Sequence, residues 1–399
     1  MTRAWRTLAA VAALAATAAP GVAMAGPPVV DAPAAAVVDA RDGTIMYSKQ
    51  ADERRAIAST TKLMTALLVL ERGRPGAVYT APRYDAQPAE SRIGLAEGER
   101  MTASDLLEAL LLESANDAAV TLARGVSGST AKFVAQMNER AAELGLRSTR
   151  YANPVGLDDP GGYSTARDLA TLTVELMERP RFARIVDSPR ATLASGARPR
   201  VIENRNRLIA EEPWVDGVKT GHTERAGYVL VGTADGRGEA AVVSVVLGDP
   251  SEDARDADSL RLLRWGLGRF RRVAPVRRNR PLARADVRHR SAEATLVPRR
   301  GVRVTLRRGQ RLTSRVSAPE ELDGPLPAGR RVGSVTVLVD GRPVDRVAVV
   351  TADAVPGAGA VAVVVSTLGV PLTLLLTLAI LLAAALTALR IRVRLRLVR

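Results

Sequence analysis

Three short stretches of this 399-residue chain place serine and lysine where nucleophilic chemistry could occur. The first is Ser59-x-x-Lys62, inside "IASTTKLMTALLVLERG" at residues 57–73. Of 57 lysines and arginines, only Lys49, Lys62, Lys132 and Lys219 are lysine. Arginine is the default cation here, so a lysine at position 62 needs a reason. Positions i and i+3 of a helix share a face, and a hydroxyl at a helix start lies near the positive end of the macrodipole. A serine hydroxyl attacks poorly until a base takes its proton. Lysine can be that base if burial or a second cation lowers its pKa, whereas arginine keeps its proton. Alone, the spacing fits a helix surface equally well.

Two further fragments change the balance. Ser114-Ala115-Asn116 puts two polar side chains inside an apolar helical run, where each needs a partner. Lys219-Thr220-Gly221 offers donors to an anion beside a glycine that allows close backbone approach. The two motif lysines are half of all lysines present. Other chemistries have less to build on. His222 and His289 are the only histidines, so a Ser-His-Asp triad would have to bridge two domains. No H-E-x-x-H occurs, there is no cysteine, and no glycine-rich phosphate loop is evident, so neither a metal nor a cofactor is expected.

The elements that must position these residues are legible as alternation and helical periodicity. "AAAVVDARDGTIMYSK" (34–49) reads as a hairpin turning at Asp42-Gly43, and "YVLVGTA", "DGRG", "AAVVSVVLG" as a second, opened by the Lys219 stretch. Between them, helices are expected over residues 102–125 (capped at Thr102 or Ser104, stopped by Gly125), over 130–146, and over 164–179 with Ser164 as cap. A closing helix follows at 251–270. Strands from both ends with helices between them predict an α+β fold, an antiparallel sheet flanked by helices. From about Arg272 short β-like runs predict a small C-terminal β-rich domain.

Both chain ends point to export. Arg3 and Arg6, the apolar run "LAAVAALAATAA" and "AMA" at 23–25 read as a signal peptide cleaved before Gly26. Residues 354–389 carry no charge, room for one transmembrane helix over about 364–389. Arg390, Arg392, Arg394, Arg396 and Arg399 then mark a cytoplasmic tail. The expected division is thus 1–25 leader, 26–271 catalytic, 272–353 basic β-rich, 364–389 anchor and 390–399 tail. The net charge of +15 is concentrated in the C-terminal third: residues 271–311 hold 14 arginines against two acids. For an exported chain with few aromatics, nucleic acid is not expected as a partner. A solvated face near anionic headgroups, or docking to an anionic wall polymer, fits better.

S-x-x-K, S-x-N and K-T-G in this order form the penicillin-recognising serine signature. The chain resembles the D-alanyl-D-alanine carboxypeptidases of low-molecular-mass penicillin-binding protein type, peptidase family S11. The agreement runs through "IASTTKLMTALLVLE", "LLEALLLESANDAAVTLA", "FVAQMNERAAELGL", "NPVGLDDPGGYSTARDLATL", "ENRNRLI" and "VDGVKTGHTERAGYVLVGTA", over about residues 30–270. The resemblance implies a serine β-lactamase/transpeptidase-like fold and activity on peptidoglycan stem peptides ending in D-Ala-D-Ala, with β-lactam antibiotics as inhibitors. It assigns Ser59 as nucleophile, Lys62 as base and Ser114 as proton relay. Asn116, Lys219, Thr220, Gly221 and His222 become substrate-side residues, with the N–H groups of Ser59 and His222 as oxyanion hole. Arg255 falls where the family places an arginine near the terminal carboxylate. Two departures stand out: Ala115 where glycine is frequent, and an anchor that reads as spanning rather than lying on the membrane. A D,D-endopeptidase, a β-lactamase and a silent wall-binding protein remain as alternatives.

Overall fold

The structure is a computed structural model and describes residues 26–74, 76–235 and 240–397. The leader, the turn beyond Asp235 and Arg399 lie outside the described residues. Two compact units divide at Phe270/Arg271.

In the first unit, β1 (Ala34–Asp39) and β2 (Ile45–Lys49) form the expected hairpin. A 3-10 turn (Ala58–Thr61) leads into α1 (Lys62–Arg72). A two-stranded ribbon, β3 (Val78–Thr80) with β4 (Arg100–Thr102), precedes α2 (Ala103–Glu108). After α3 (Asn116–Ser127) come α4 (Thr130–Glu143), α5 (Ala166–Met177) and α6 (Pro180–Val186). A second ribbon pairs β5 (Arg190–Leu193) with β6 (Arg200–Glu203), and α7 (Leu208–Glu211) follows. The unit ends with β7 (Val215–Thr223), β8 (Gly227–Asp235), β9 (Ala241–Asp249) and α8 (Glu252–Leu267).

The sheet order is β2-β1-β9-β8-β7, antiparallel throughout. Successive strand residues point to opposite faces. Ala34, Ala36 and Val38 join Val229, Val231, Val243 and Val245 in the core shared with α1 to α6. Ala35, Val37, Leu230, Val242 and Val246 pack instead with Leu262 and Leu263 of α8. Both faces are covered, which is why these strands read as unbroken apolar runs. Full burial of each Val or Leu is worth about 1.5–3 kcal/mol.

Four details depart from the sequence reading. The helix expected over 102–125 is broken: α2 passes into a π turn (Ala109–Glu113) that ends at Ser114 in the left-handed region, φ 61°. Ala115 is extended and α3 starts afresh, running past Gly125 to a left-handed Gly128. Thr165, not Ser164, caps α5, its hydroxyl accepting the Asp168 N–H at 3.1 Å. The Lys219 stretch is a full strand, β7, at the sheet edge rather than the mouth of a hairpin. Thr102 is the cap of α2, as one of the two expected choices.

The second unit is built of β10 (Phe270–Val276), β11 (Ala283–Val287), β12 (Glu293–Pro298), β13 (Val302–Arg307), β14 (Leu312–Ser317), β15 (Glu321–Leu322), β16 (Arg331–Val339) and β17 (Arg342–Thr351). Six strands form one sheet, β14-β16-β17-β12-β11-β15, and β10 pairs with β13. Asp340-Gly341, both at positive φ, makes the tight turn between β16 and β17. Val335, Val337, Val349 and Leu296 are at the centre of its own core.

The last helix, α9 (Ala360–Leu397), is interrupted at Gly369 ahead of Pro371. Its segment Ala360–Arg392 contains an 18-residue stretch with a mean hydropathy of 2.5 that is not buried, long and apolar enough to cross a membrane. From Pro371 to Arg392, about 22 residues rise about 33 Å, close to a hydrocarbon core of about 30 Å.

Candidate active site

Ser59 sits in the 3-10 turn, behind Ala58 at φ 45°. A non-glycine residue in this region costs about 1–2 kcal/mol, so packing must hold it there. Two glycines make that packing possible. A Cβ on Gly156, itself at φ 88°, would lie 1.9 Å from the Ala58 carbonyl oxygen. A Cβ on Gly221 of β7 would lie 2.8 Å from the Ser59 nitrogen. The turn is thus wedged between the 153–156 segment and the edge strand.

Lys62 opens α1 and has no exposed surface. Its Nζ donates to Ser59 Oγ at 2.9 Å and to the Val155 carbonyl at 2.7 Å. Thr65, one turn on, donates to the Pro154 carbonyl at 2.7 Å and pins the same segment. Burial pushes the Lys62 amine well below the usual lysine range and the charge of Lys219 adds to the effect, while Glu90 and Asp117 oppose it.

Lys219, on β7, is also buried, and its Nζ donates to the Thr220 carbonyl at 3.0 Å. Burial, reinforced by Arg205 and Arg255 against Glu113, lowers it to about 7. Thr220 and Gly221 follow it, buried, on the same strand. His222 is exposed, its ring 4.1 Å from that of Tyr228 directly across the β7–β8 pair.

The break between α2 and α3 accounts for the middle motif. The left-handed Ser114 buries its Oγ without a hydrogen-bond partner in the protein. Asn116, at the head of α3, donates from Nδ2 to Glu90 Oε2 at 2.7 Å, and its backbone N–H donates to the Ser91 carbonyl at 2.8 Å. The structure therefore joins Ser59 directly to Lys62 and brings Lys62, Lys219 and the α3 head into one electrostatic neighbourhood. Arg255 lies on α8, buried, with Nε on Asp256 at 2.8 Å and Nη2 on Glu252 at 2.8 Å. Its link to the site is its charge on Lys219.

Sequence reasoning missed Glu90, Tyr84 and Asp117. Tyr84 donates its hydroxyl to Glu90 Oε2, and the Gln87 N–H donates to Oε1 at 2.9 Å. Burial raises the Glu90 carboxyl, but hydrogen bonds from Tyr84 and Asn116 outweigh it and the net shift is downward. Burial, together with Glu90, raises the Tyr84 hydroxyl. Asp117 accepts the N–H groups of Ile93 and Leu95 at 3.2 and 2.9 Å. Tyr84 and Glu90 lie in residues 84–95, which have no regular structure and so no periodicity to betray them, while Asp117 sits in the first turn of α3. Among the described residues no group of three or more His, Asp or Glu is arranged to hold a metal.

The chain is similar to known proteins over most of its length. The profile of peptidase family S11, D-alanyl-D-alanine carboxypeptidase, matches residues 22–251. D-alanyl-D-alanine carboxypeptidase DacF of Bacillus subtilis is 30% identical over 321 residues, 78% of this chain and 82% of the relative. The crystal structure of penicillin binding protein 5 from Haemophilus influenzae superposes with a TM-score of 0.60 at 28% identity, covering 83% of this chain and 99% of that one. The Streptomyces K15 DD-transpeptidase structure covers 61% of this chain and 100% of its own, at 32% identity and TM-score 0.58. The chain belongs to the D-alanyl-D-alanine carboxypeptidase family, peptidase family S11, a family of serine hydrolases.

Proposed function

We propose that this chain removes the terminal D-alanine from peptidoglycan stem peptides ending in D-Ala-D-Ala, through an ester on Ser59, and that β-lactams acylate the same oxygen. The observation that carries the reading is the 2.9 Å contact between Ser59 Oγ and the amine of a fully buried lysine. When Lys62 is neutral, its lone pair takes the Ser59 proton as Oγ bonds to the carbonyl carbon of the penultimate D-Ala. The backbone N–H groups of Ser59 and His222 receive the charge that moves to the carbonyl oxygen, a donor being worth about 3–4 kcal/mol. The C–N bond then breaks, and the departing D-Ala amine takes the proton from Lys62 through Ser114, whose unpartnered buried Oγ suits a relay. Water attacks the ester, Lys62 accepts its proton, and Ser59 is restored.

Asn116 holds the peptide amide. Lys219 and Thr220 bind the substrate on β7 beside Gly221, and Arg255 reinforces positive potential for the terminal carboxylate. Residues 1–25 direct export, and α9 crosses the bilayer once with its arginine tail in the cytoplasm. The test is D-Ala release from a diacylated peptide by the full chain in detergent. Ser59→Ala and Lys62→Arg should each lower kcat/KM by about a thousandfold or more with the melting temperature retained. A folded parent that releases no D-Ala, or a Lys62→Arg variant that keeps its rate, would sink the reading.

A further inference from the structure

Asn116 does not meet the substrate alone. Its carboxamide is held from behind by a loop that belongs to none of the three signature stretches. Glu90 Oε2 accepts one Nδ2 hydrogen at 2.7 Å and the Tyr84 hydroxyl as well, while Oε1 accepts the Gln87 N–H at 2.9 Å. The Asn116 N–H closes a second link, to the Ser91 carbonyl at 2.8 Å. A carboxylate only accepts hydrogen bonds. It therefore holds the NH2 end of the amide and rejects the flipped form, which would set Oδ1 against it. The carbonyl oxygen of Asn116 is thereby presented in a single orientation.

We propose that Glu90 is a positioning residue of the reaction: it locks the Asn116 carboxamide in the orientation that receives the substrate amide, and it sets a negative charge beside the Lys62 amine. The proposal rests on the reading of Asn116 as a substrate-side residue. The groups that face Lys62 are Ser59 Oγ and the Val155 carbonyl by hydrogen bond, and Lys219, Glu90 and Asp117 by charge. Those that face Glu90 are Tyr84, Asn116, the Gln87 N–H and Lys62. Glu90 favours the protonated form of Lys62 and so opposes burial and Lys219. Removing its charge leaves Lys62 neutral at lower pH.

Two variants separate the parts. Glu90→Gln keeps an acceptor for Asn116 but loses the charge; the acid limb of kcat/KM should move down by about half a pH unit or more. Glu90→Ala frees the amide, and kcat/KM for the peptide should fall about tenfold, mostly through KM. If Glu90 acts through Asn116, adding Glu90→Ala to Asn116→Ala should cost little more than Asn116→Ala alone, whereas a loop that merely destabilises the fold would give additive losses. The rate of acylation by benzylpenicillin, measured on the same proteins, needs no D-Ala release. Should the parent acylate without releasing D-Ala, the carboxypeptidase reading fails and the cycle is read from acylation. Additive losses, or an acid limb unmoved in Glu90→Gln, would overturn the proposal while leaving the enzyme in place. A parent that neither releases D-Ala nor acylates removes both.

Discussion

Two buried lysines share this site, and each is made hard to charge by the same lack of water. The consequence for stability has a definite sign. Lys219 titrates at about 7 in the folded chain against an ordinary 10.5. Between those values the unfolded chain binds the proton and the folded chain does not, so stability rises with pH across the window and is lowest below it. Denaturant melts at intervals from about pH 7 to 10 should show the parent gaining on Lys219→Met as pH rises. Lys62 acts in the same direction but remains in both proteins. Parallel curves would mean that Lys219 keeps its proton throughout. At this scale the sequence was informative because arginine is so dominant that two lysines in the signature stretches stand out. Arg255 is different, since only the fold reveals that two carboxylates already hold it.

The site depends on backbone that no propensity rule anticipates. Ala58 and Ser114 both adopt left-handed conformations without being glycine, one beside Ser59 and one at the break between α2 and α3. Such positions persist only where surrounding packing over-determines them, at about 1–3 kcal/mol each. Gly156→Ala should therefore destabilise the protein by more than about 2 kcal/mol and slow β-lactam acylation, because its Cβ would displace the Ala58 carbonyl. Gly162→Ala, whose Cβ would meet nothing nearer than 3.5 Å, is the control and should change neither. Equal melting temperatures for the two variants would show that the turn tolerates displacement. The continuous apolar spacing through 102–125 hid the break at Ser114. Leu106 to Leu112 and Ala115 to Ala123 are buried almost throughout, so the apolar run carries no mark of the break.

For the whole chain, the charge of +15 and the apolar C-terminal helix belong to the part beyond residue 270. The two hydrophobic clusters that hold the site lie wholly within the first unit. Ending the chain at Asp353 should move the protein from the membrane pellet to the soluble fraction, with kcat/KM on a soluble peptide kept within about twofold. A truncated protein that still pellets at high salt would show that α9 is not what holds it, and would point to the arginine-rich β unit.

The sequence by itself determined the order of the three signature stretches, the antiparallel sheet with helices on it, and the family, and it singled out Ser59 and Lys62 as candidates for nucleophile and base. These rest on residue type and short spacing, which a chain carries before it folds. Tertiary structure alone decided that the Lys62 amine is held well below the usual lysine range, by burial and a second lysine 157 positions away in the sequence against two opposing carboxylates. It also decided that Asn116 is held by Glu90, through a loop whose only pattern is the set of groups it touches. Local order is written in neighbours along the chain. The electrostatics of a site are written in neighbours through space.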